Sequence, residues 1–113
     1  MHELVIVEGI LDAVIPEVKK YDVEKILSIR LKIGELSGVV PSCIEEYFGI
    51  AARGTIAEGA KIIIEKTPIE IECRDCGFKG IITKGTYHCP KCQSAGFRIV
   101  SGKEYFVDSV EAE

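Results

Sequence analysis

The chain has 113 residues, which is enough for one domain or for one domain with a small appendage. Its net charge of −4 comes from interspersed residues of both signs, and the absence of a basic stripe argues against a nucleic-acid binder. No apolar run approaches the roughly 20 residues that span a bilayer, which argues against a membrane protein.

The amino-terminal segment has the apolar periodicity of a helix. Its apolar face comprises Leu4, Val7, Leu11, Val14 and Val18, with Ile10 and Ile15 beside them. This spacing predicts a helix from about Leu4 to Lys20. A kink is expected at Pro16, because proline removes one hydrogen bond and crowds the carbonyl of Asp12. The positive end of this helix would favour the carboxylate of Glu3.

Residues 25–34 alternate between apolar and polar side chains, which predicts a half-buried strand. Its apolar face comprises Leu27, Ile29, Leu31 and Ile33. A second helix is expected to open at Pro41-Ser42, with Ser42 and Glu45 at the spacing of a capping box. Its predicted apolar face comprises Ile44, Tyr47, Phe48 and Ala51. We interpret Cys43 as a small buried apolar residue, and Gly54 as the stop signal.

Residues 60–73 form a long extended segment whose apolar phase changes at Thr67-Pro68. This change predicts a bend at which the chain leaves the main sheet. Strands are also expected at 97–100 and 105–107, and the last would return to the main sheet, so that residues 73–96 form an insertion. Residues 110–113 are polar and are expected to fray.

The inserted segment carries two Cys-x-x-Cys pairs, Cys73 with Cys76 and Cys89 with Cys92, separated by twelve residues. Four thiolates on two such turns typically form a tetrahedral structural zinc site without an open coordination position. A closed site argues against a zinc hydrolase. An odd number of cysteines without a signal peptide favours a reducing, cytoplasmic location over a disulfide framework.

Other interpretations of the cysteines remain open at this point. The module could be a protein-binding zinc ribbon, or an electron carrier, because its Cys-x-x-Cys-Gly and Cys-Pro-x-Cys turns also resemble those of rubredoxin. The colour of the purified protein separates these alternatives, because an iron-loaded electron carrier would be red and a zinc-loaded protein colourless. His88 could replace a cysteine as ligand, couple the site to pH, or simply lie at the surface beside it.

The first residues offer a second metal site. The α-amine of Met1 and the amide and imidazole nitrogens of His2 can close two small chelate rings, and Glu3 can add a ligand. Such a nitrogen-rich, near-planar set suits nickel(II) or copper(II). Bulky His2 is expected to prevent removal of Met1, and no leader segment is expected before it. The alternative is an ordinary histidine near a frayed end.

The order of these motifs resembles the hydrogenase/urease nickel-incorporation (HypA) family. The matching segments are Met1-His2-Glu3-Leu4, residues 31–35, 54–55, 57–59 and 102–105, and the two cysteine pairs. The resemblance implies an α+β fold, with two helices packed on a small mixed β-sheet and an inserted zinc-ribbon domain. Residues 1–72 and 97–113 would form the nickel-binding domain and residues 73–96 the zinc domain.

The resemblance further implies a nickel metallochaperone rather than an enzyme. Its metals would be a transient Ni²⁺ at Met1, His2 and Glu3 and a structural Zn²⁺ at the four cysteines. Its expected partners are the GTPase HypB, the NiFe hydrogenase large-subunit precursor and, in some members, urease maturation proteins. A monomer or a homodimer is expected. Some members take another nickel ligand from the zinc domain; here position 98 is Arg98, and no such ligand can be mapped.

Overall fold

The computed structural model describes residues 3–113. The helices and strands are α1 (Glu3–Val18), β1 (Ile26–Gly34), α2 (Pro41–Ala51), β2 (Lys61–Thr67), β3 (Ile69–Cys73), β4 (Lys79–Ile82), β5 (Phe97–Ser101) and β6 (Tyr105–Ala112). These elements confirm the predicted α+β class, with two helices and small β-sheets. Among the described residues, no helix has both the length and the apolar character needed to cross a membrane.

The first sheet is mixed, with strand order β2-β1-β6. β1 runs parallel to β2, which follows after α2, and antiparallel to β6. The predicted alternation holds over Ile29, Leu31 and Ile33, which are all buried. Their face packs against the buried side chains of both helices, Val7, Leu11, Val14, Ile44 and Phe48. The strand pattern therefore located the main core, except that Leu27 of the predicted face is half-buried and its neighbour Ile26 is fully buried instead.

Each helix differs from its prediction in one detail near its amino end. Leu4 is exposed, and the buried face of α1 begins at Glu3 and Val7 instead. The capping box is wrong, because α2 starts at Pro41 with Val40 as its N-cap and has no side-chain cap hydrogen bond. The fixed φ of proline suits the first helical position, which moves Ser42 into the helix.

The second sheet is antiparallel, with strand order β4-β3-β5. Its small core contains Ile69, Ile71 and Ile82. The phase change at Pro68 does separate two sheets, since β2 belongs to the first and β3 to the second. β3 and β5 extend on either side of residues 73–96, so the sheet is longer than the segment assigned to the zinc domain.

The carboxyl end is more ordered than predicted. β6 continues to Ala112, which pairs with Ile26, and the Glu113 amide donates a hydrogen bond to the Lys25 carbonyl at 2.9 Å. The fraying predicted for residues 110–113 is therefore wrong. Pairing with the start of β1 satisfies backbone groups that a polar sequence alone would leave to water.

The two sheets meet at a junction formed by residues 34–36, Thr67-Pro68 and residues 102–104. The Gly34 amide donates to the Glu104 carbonyl at 2.7 Å, and the Leu36 amide donates to the Gly102 carbonyl at 2.7 Å. The Glu35 amide donates to the Thr67 carbonyl at 3.1 Å. The segment after β1 therefore holds both connections that lead to and from the second sheet.

The Glu104 carboxylate closes this junction. Its Oε2 accepts hydrogen bonds from the amides of Gly102 and Lys103, both at 3.0 Å, and its Oε1 accepts one from Thr67 Oγ1 at 3.3 Å. Hydrogen bonds from the backbone amides of Glu104 itself, Gly102 and Lys103 and from Thr67 hold the pKa of the Glu104 carboxyl below its ordinary value of 4.5. The ionised form is therefore the one that stabilises the junction.

We expect Glu104→Gln to lower the free energy of unfolding at neutral pH. Because the folded pKa is depressed, this stabilisation is present above the ordinary glutamate pKa and is lost as the pH falls through the folded pKa. Urea unfolding of wild type and Glu104→Gln, from neutral pH down through the folded pKa of Glu104, measures the difference in free energy of unfolding. Glu45→Gln, at an exposed position, is the control for the lost charge. A difference that stays constant into acid would contradict the assignment.

Candidate metal centre

The first cysteine pair lies on the turn that connects β3 to β4. The Gly77 amide donates to the Cys73 carbonyl at 3.1 Å, and the Cys73 amide donates to the Phe78 carbonyl at 2.8 Å. Gly77 has a φ of +76°, a conformation that glycine adopts without strain. The turn places Cys76 opposite Cys73 at the end of the second sheet.

The second pair repeats this arrangement in the segment before β5. The Gln93 amide donates to the Cys89 carbonyl, and the Cys89 amide donates to the Ser94 carbonyl, both at 2.8 Å. Gln93 occupies the position equivalent to Gly77 and has a φ of +66°. The sequence carried no signal for this left-handed residue, because glutamine is not typical of such positions.

The four sulfur atoms of the two pairs converge. The Sγ atoms of Cys73, Cys76, Cys89 and Cys92 all lie within 4.8 Å of one another. The Sγ atoms of Cys73 and Cys92 are 3.6 Å apart, as are those of Cys76 and Cys89. Cys73 and Cys89 are buried, whereas Cys92 is exposed. One ion at the centre could therefore contact all four side chains.

The thiols of this cluster differ in acidity. Burial raises the pKa of Cys89, but the amides of Cys92 and Lys91 and the neighbouring thiols stabilise its thiolate and hold the pKa at about 7. The Ser94 amide lowers the pKa of Cys92, yet partial desolvation of its sulfur and the adjacent thiols raise that pKa to about 12. Four adjacent negative charges repel one another, so a cation is needed to hold all four as thiolates.

A contact that the sequence did not reveal joins the two cysteine turns. Ser94 Oγ donates to Asp75 Oδ2 and accepts a hydrogen bond from the Gly96 amide at 2.9 Å. The Arg74 amide donates to the Gly96 carbonyl at 2.9 Å. Residues next to both pairs are therefore held together by protein groups, which preorganises the sulfurs for a shared ion.

The remaining candidate metal ligands lie outside the four-cysteine cluster, and the structure describes only some of them. Met1 and His2 lie outside the described residues, and Glu3 is 8% exposed in the first turn of α1. Among residues 3–113, no group donates a hydrogen bond to buried Glu3 Oε2. His88 is partly buried beside Cys89. Cys43 is half-buried in α2, which is less than the predicted burial, and it lies outside the four-sulfur cluster.

Comparisons with known proteins match the chain over almost its whole length. The family model described as "Hydrogenase/urease nickel incorporation, metallochaperone, hypA" matches residues 1–112. The hydrogenase maturation factor HypA of Geobacter metallireducens is 40% identical over 114 residues, which cover 100% of both chains. Its counterpart from Desulfitobacterium hafniense is 34% identical over 113 residues, which cover 100% of this chain and 99% of the relative.

Solved structures agree with these sequence relationships. The solution structure of the Ni metallochaperone HypA from Helicobacter pylori superposes with a TM-score of 0.68 and 26% identity, over 99% of this chain and 97% of that chain. A second solution structure of a HypA protein has a TM-score of 0.74 at 26% identity, and it covers 100% of this chain and 97% of its own. Both the sequence and the architecture are therefore shared.

Proposed function

Because the chain belongs to the HypA family of hydrogenase and urease nickel-incorporation metallochaperones, we propose that it binds one Ni²⁺ at its amino terminus and delivers it for NiFe hydrogenase maturation. The family match over residues 1–112 is the observation that carries this proposal. The members of this family are metallochaperones rather than enzymes.

The environment of Glu3 supports a cation at the amino end. A buried carboxylate oxygen is costly without a hydrogen bond or a positive charge, and Glu3 Oε2 has no partner among residues 3–113. A nickel ion held by the Met1 amine and the His2 nitrogens would supply that charge, and Glu3 would contribute an oxygen ligand or orient the site. A site at a chain end can exchange its ion without unfolding the core.

We propose that the four-cysteine cluster holds a structural Zn²⁺ through Cys73, Cys76, Cys89 and Cys92. Tetrahedral coordination at a Zn–S distance of about 2.3 Å separates the sulfurs by about 3.8 Å. Two of the sulfur–sulfur separations are 3.6 Å, close to this value, and all lie within 4.8 Å. Four protein thiolates leave no position for a reacting water, so the ion would stabilise the second sheet without taking part in chemistry.

The proposed pathway involves several partners. The GTPase HypB would act with this chain, the NiFe hydrogenase large-subunit precursor would receive the nickel, and urease maturation proteins are a second candidate route. We place these steps in the cytoplasm, with the chain as a monomer or homodimer. Residues 1–72 and 97–113 would form the nickel domain and residues 73–96 the zinc domain. The junction lies within the first of these and holds the two connections to the second sheet.

Calorimetric titration of Ni²⁺ into untagged, zinc-loaded protein tests the amino-terminal site. We expect about one tightly bound nickel in the wild type, and its loss in His2→Ala and in a variant with two residues added before Met1. His88→Ala is the matched control, because it removes the other histidine and should leave this binding unchanged. Equal binding by all four proteins would place nickel elsewhere and overturn the proposal.

A further inference from the structure

The helix α1 and the strand β6 leave an open groove between them. A cavity of about 290 Å³ lies near Val5 and Phe106, and a second of about 450 Å³ lies near Tyr21 and Val110. Ala13 lines both cavities, as does Val107, so the two are neighbours along the same side of α1. We call the two cavities together the α1–β6 groove.

The groove is apolar and accessible. Val5 is 65% exposed and Tyr105 is 48% exposed. Gly9 also lines the groove, and a Cβ atom built on it would have no atom within 4 Å. Contiguous exposed apolar surface of this kind is uncommon unless another molecule covers it.

β6 also offers backbone groups to a partner. In the part of the chain that the structure describes, β1 is its neighbour on one side and no strand lies on the other. An exposed edge strand of eight residues is a ready template for pairing. Partners that add a strand gain main-chain hydrogen bonds and place alternate side chains in pockets. An added strand would direct every second side chain towards the groove beneath α1.

Charge identifies the chemistry of such a strand. The charged residues of β6, Asp108 and Glu111, are both acidic. These two contact Lys32 and Ser28 of β1, on the sheet face opposite the helices. A second copy of β6 would bring like charges together, whereas basic side chains would be attracted.

We propose that the α1–β6 groove binds an extended segment of a partner protein in which apolar and basic residues alternate. The segment adds to β6 as a fourth strand of the first sheet. Its apolar side chains enter the groove near Gly9 and Ala13, and its basic side chains lie opposite Asp108 and Glu111. This surface is independent of the proposed nickel site, since it requires neither residue 1 nor residue 2.

Selection from a displayed library of random dodecapeptides on the zinc-loaded full-length chain tests the proposal. We expect enrichment of peptides that alternate apolar residues with Lys or Arg, and their binding should weaken at high salt. Gly9→Leu fills the groove and should weaken binding at least about tenfold. Gly49→Leu is the matched control, because Gly49 is also a helical glycine with open space at Cβ but lies in α2, and it should bind like wild type.

Two further measurements distinguish a peptide that pairs with β6 from a second copy of this chain. Hydrogen exchange of the amides in β6 should slow when the selected peptide binds; unchanged exchange would mean that the peptide does not pair with the strand. Sedimentation of the protein without peptide should be the same for wild type and Gly9→Leu, and self-association lost in the variant would identify a second copy instead. Failure to enrich such peptides, or equal binding to Gly9→Leu and wild type, would overturn the proposal.

Discussion

Replacing Cys89 by serine is expected to abolish metal binding at the four-cysteine cluster and to unfold residues 69–101. Cys89 is fully buried, and among residues 3–113 the core of the second sheet consists of Ile69, Ile71 and Ile82 with a few partly buried neighbours. Such a small core cannot offset the chain entropy lost on folding, so a metal ion held by the four cysteines would supply most of the stability. The first sheet has its own, larger core and should remain folded.

Amide NMR spectra with zinc analysis measure this outcome. Signals of residues 69–101 should collapse to unfolded positions, while those of α1, β1 and α2 should persist. Cys43→Ser is the control, because Cys43 lies in α2 outside the cluster, and this variant should retain metal. A second sheet that stays folded in metal-free Cys89→Ser would show that protein contacts such as Ser94 with Asp75 suffice.

Gly34→Ala is expected to lower the free energy of unfolding by about 4 kcal/mol or more, the range of severe backbone strain. A Cβ atom at Gly34 would overlap the carbonyl group of Gly102 and lie 2.9 Å from the Glu104 carbonyl oxygen. These atoms belong to the backbone and accept the hydrogen bonds that join the sheets, so they cannot move away without breaking the junction.

Urea unfolding followed by circular dichroism measures this loss. Gly49→Ala is the control, because its Cβ atom would meet nothing within 4 Å and alanine favours a helix by about 1 kcal/mol over glycine. The two substitutions should therefore change stability in opposite directions. A Gly34→Ala protein as stable as wild type would mean that the close approach of Gly34 to Gly102 is not required.

Local patterns explain which parts of the fold were predictable. The alternation around Ile29 and Leu31 predicts which side chains are buried, because successive side chains of a strand point to opposite faces. The change in apolar phase at Pro68 indicates, for the same reason, that the chain passes from the first sheet to the second. The spacing of the cysteines likewise indicates that their sulfurs converge, since each Cys-x-x-Cys turn brings its two side chains together.

Features that depend on distant contacts were not predictable. The order of residues 110–112 comes from pairing with β1, which lies about 80 residues earlier in the sequence. The bonds of Glu104 with Thr67 and of Ser94 with Asp75 join residues that no local pattern relates. The α1–β6 groove was not predictable either, because the spacing of apolar residues in α1 does not show which of them the sheet leaves uncovered.

The junction has a consequence for how the chain folds. Thr67 and Glu104 are 37 residues apart in sequence but in contact, so β6 can pair with β1 only after a long loop has closed. A second sheet already folded around the proposed metal ion would shorten that loop to a few residues, which would lower the entropic barrier by about 2 kcal/mol. Metal acquisition by the cysteines would therefore accelerate completion of the first sheet, and the supply of that metal during synthesis would influence how soon the whole chain is folded.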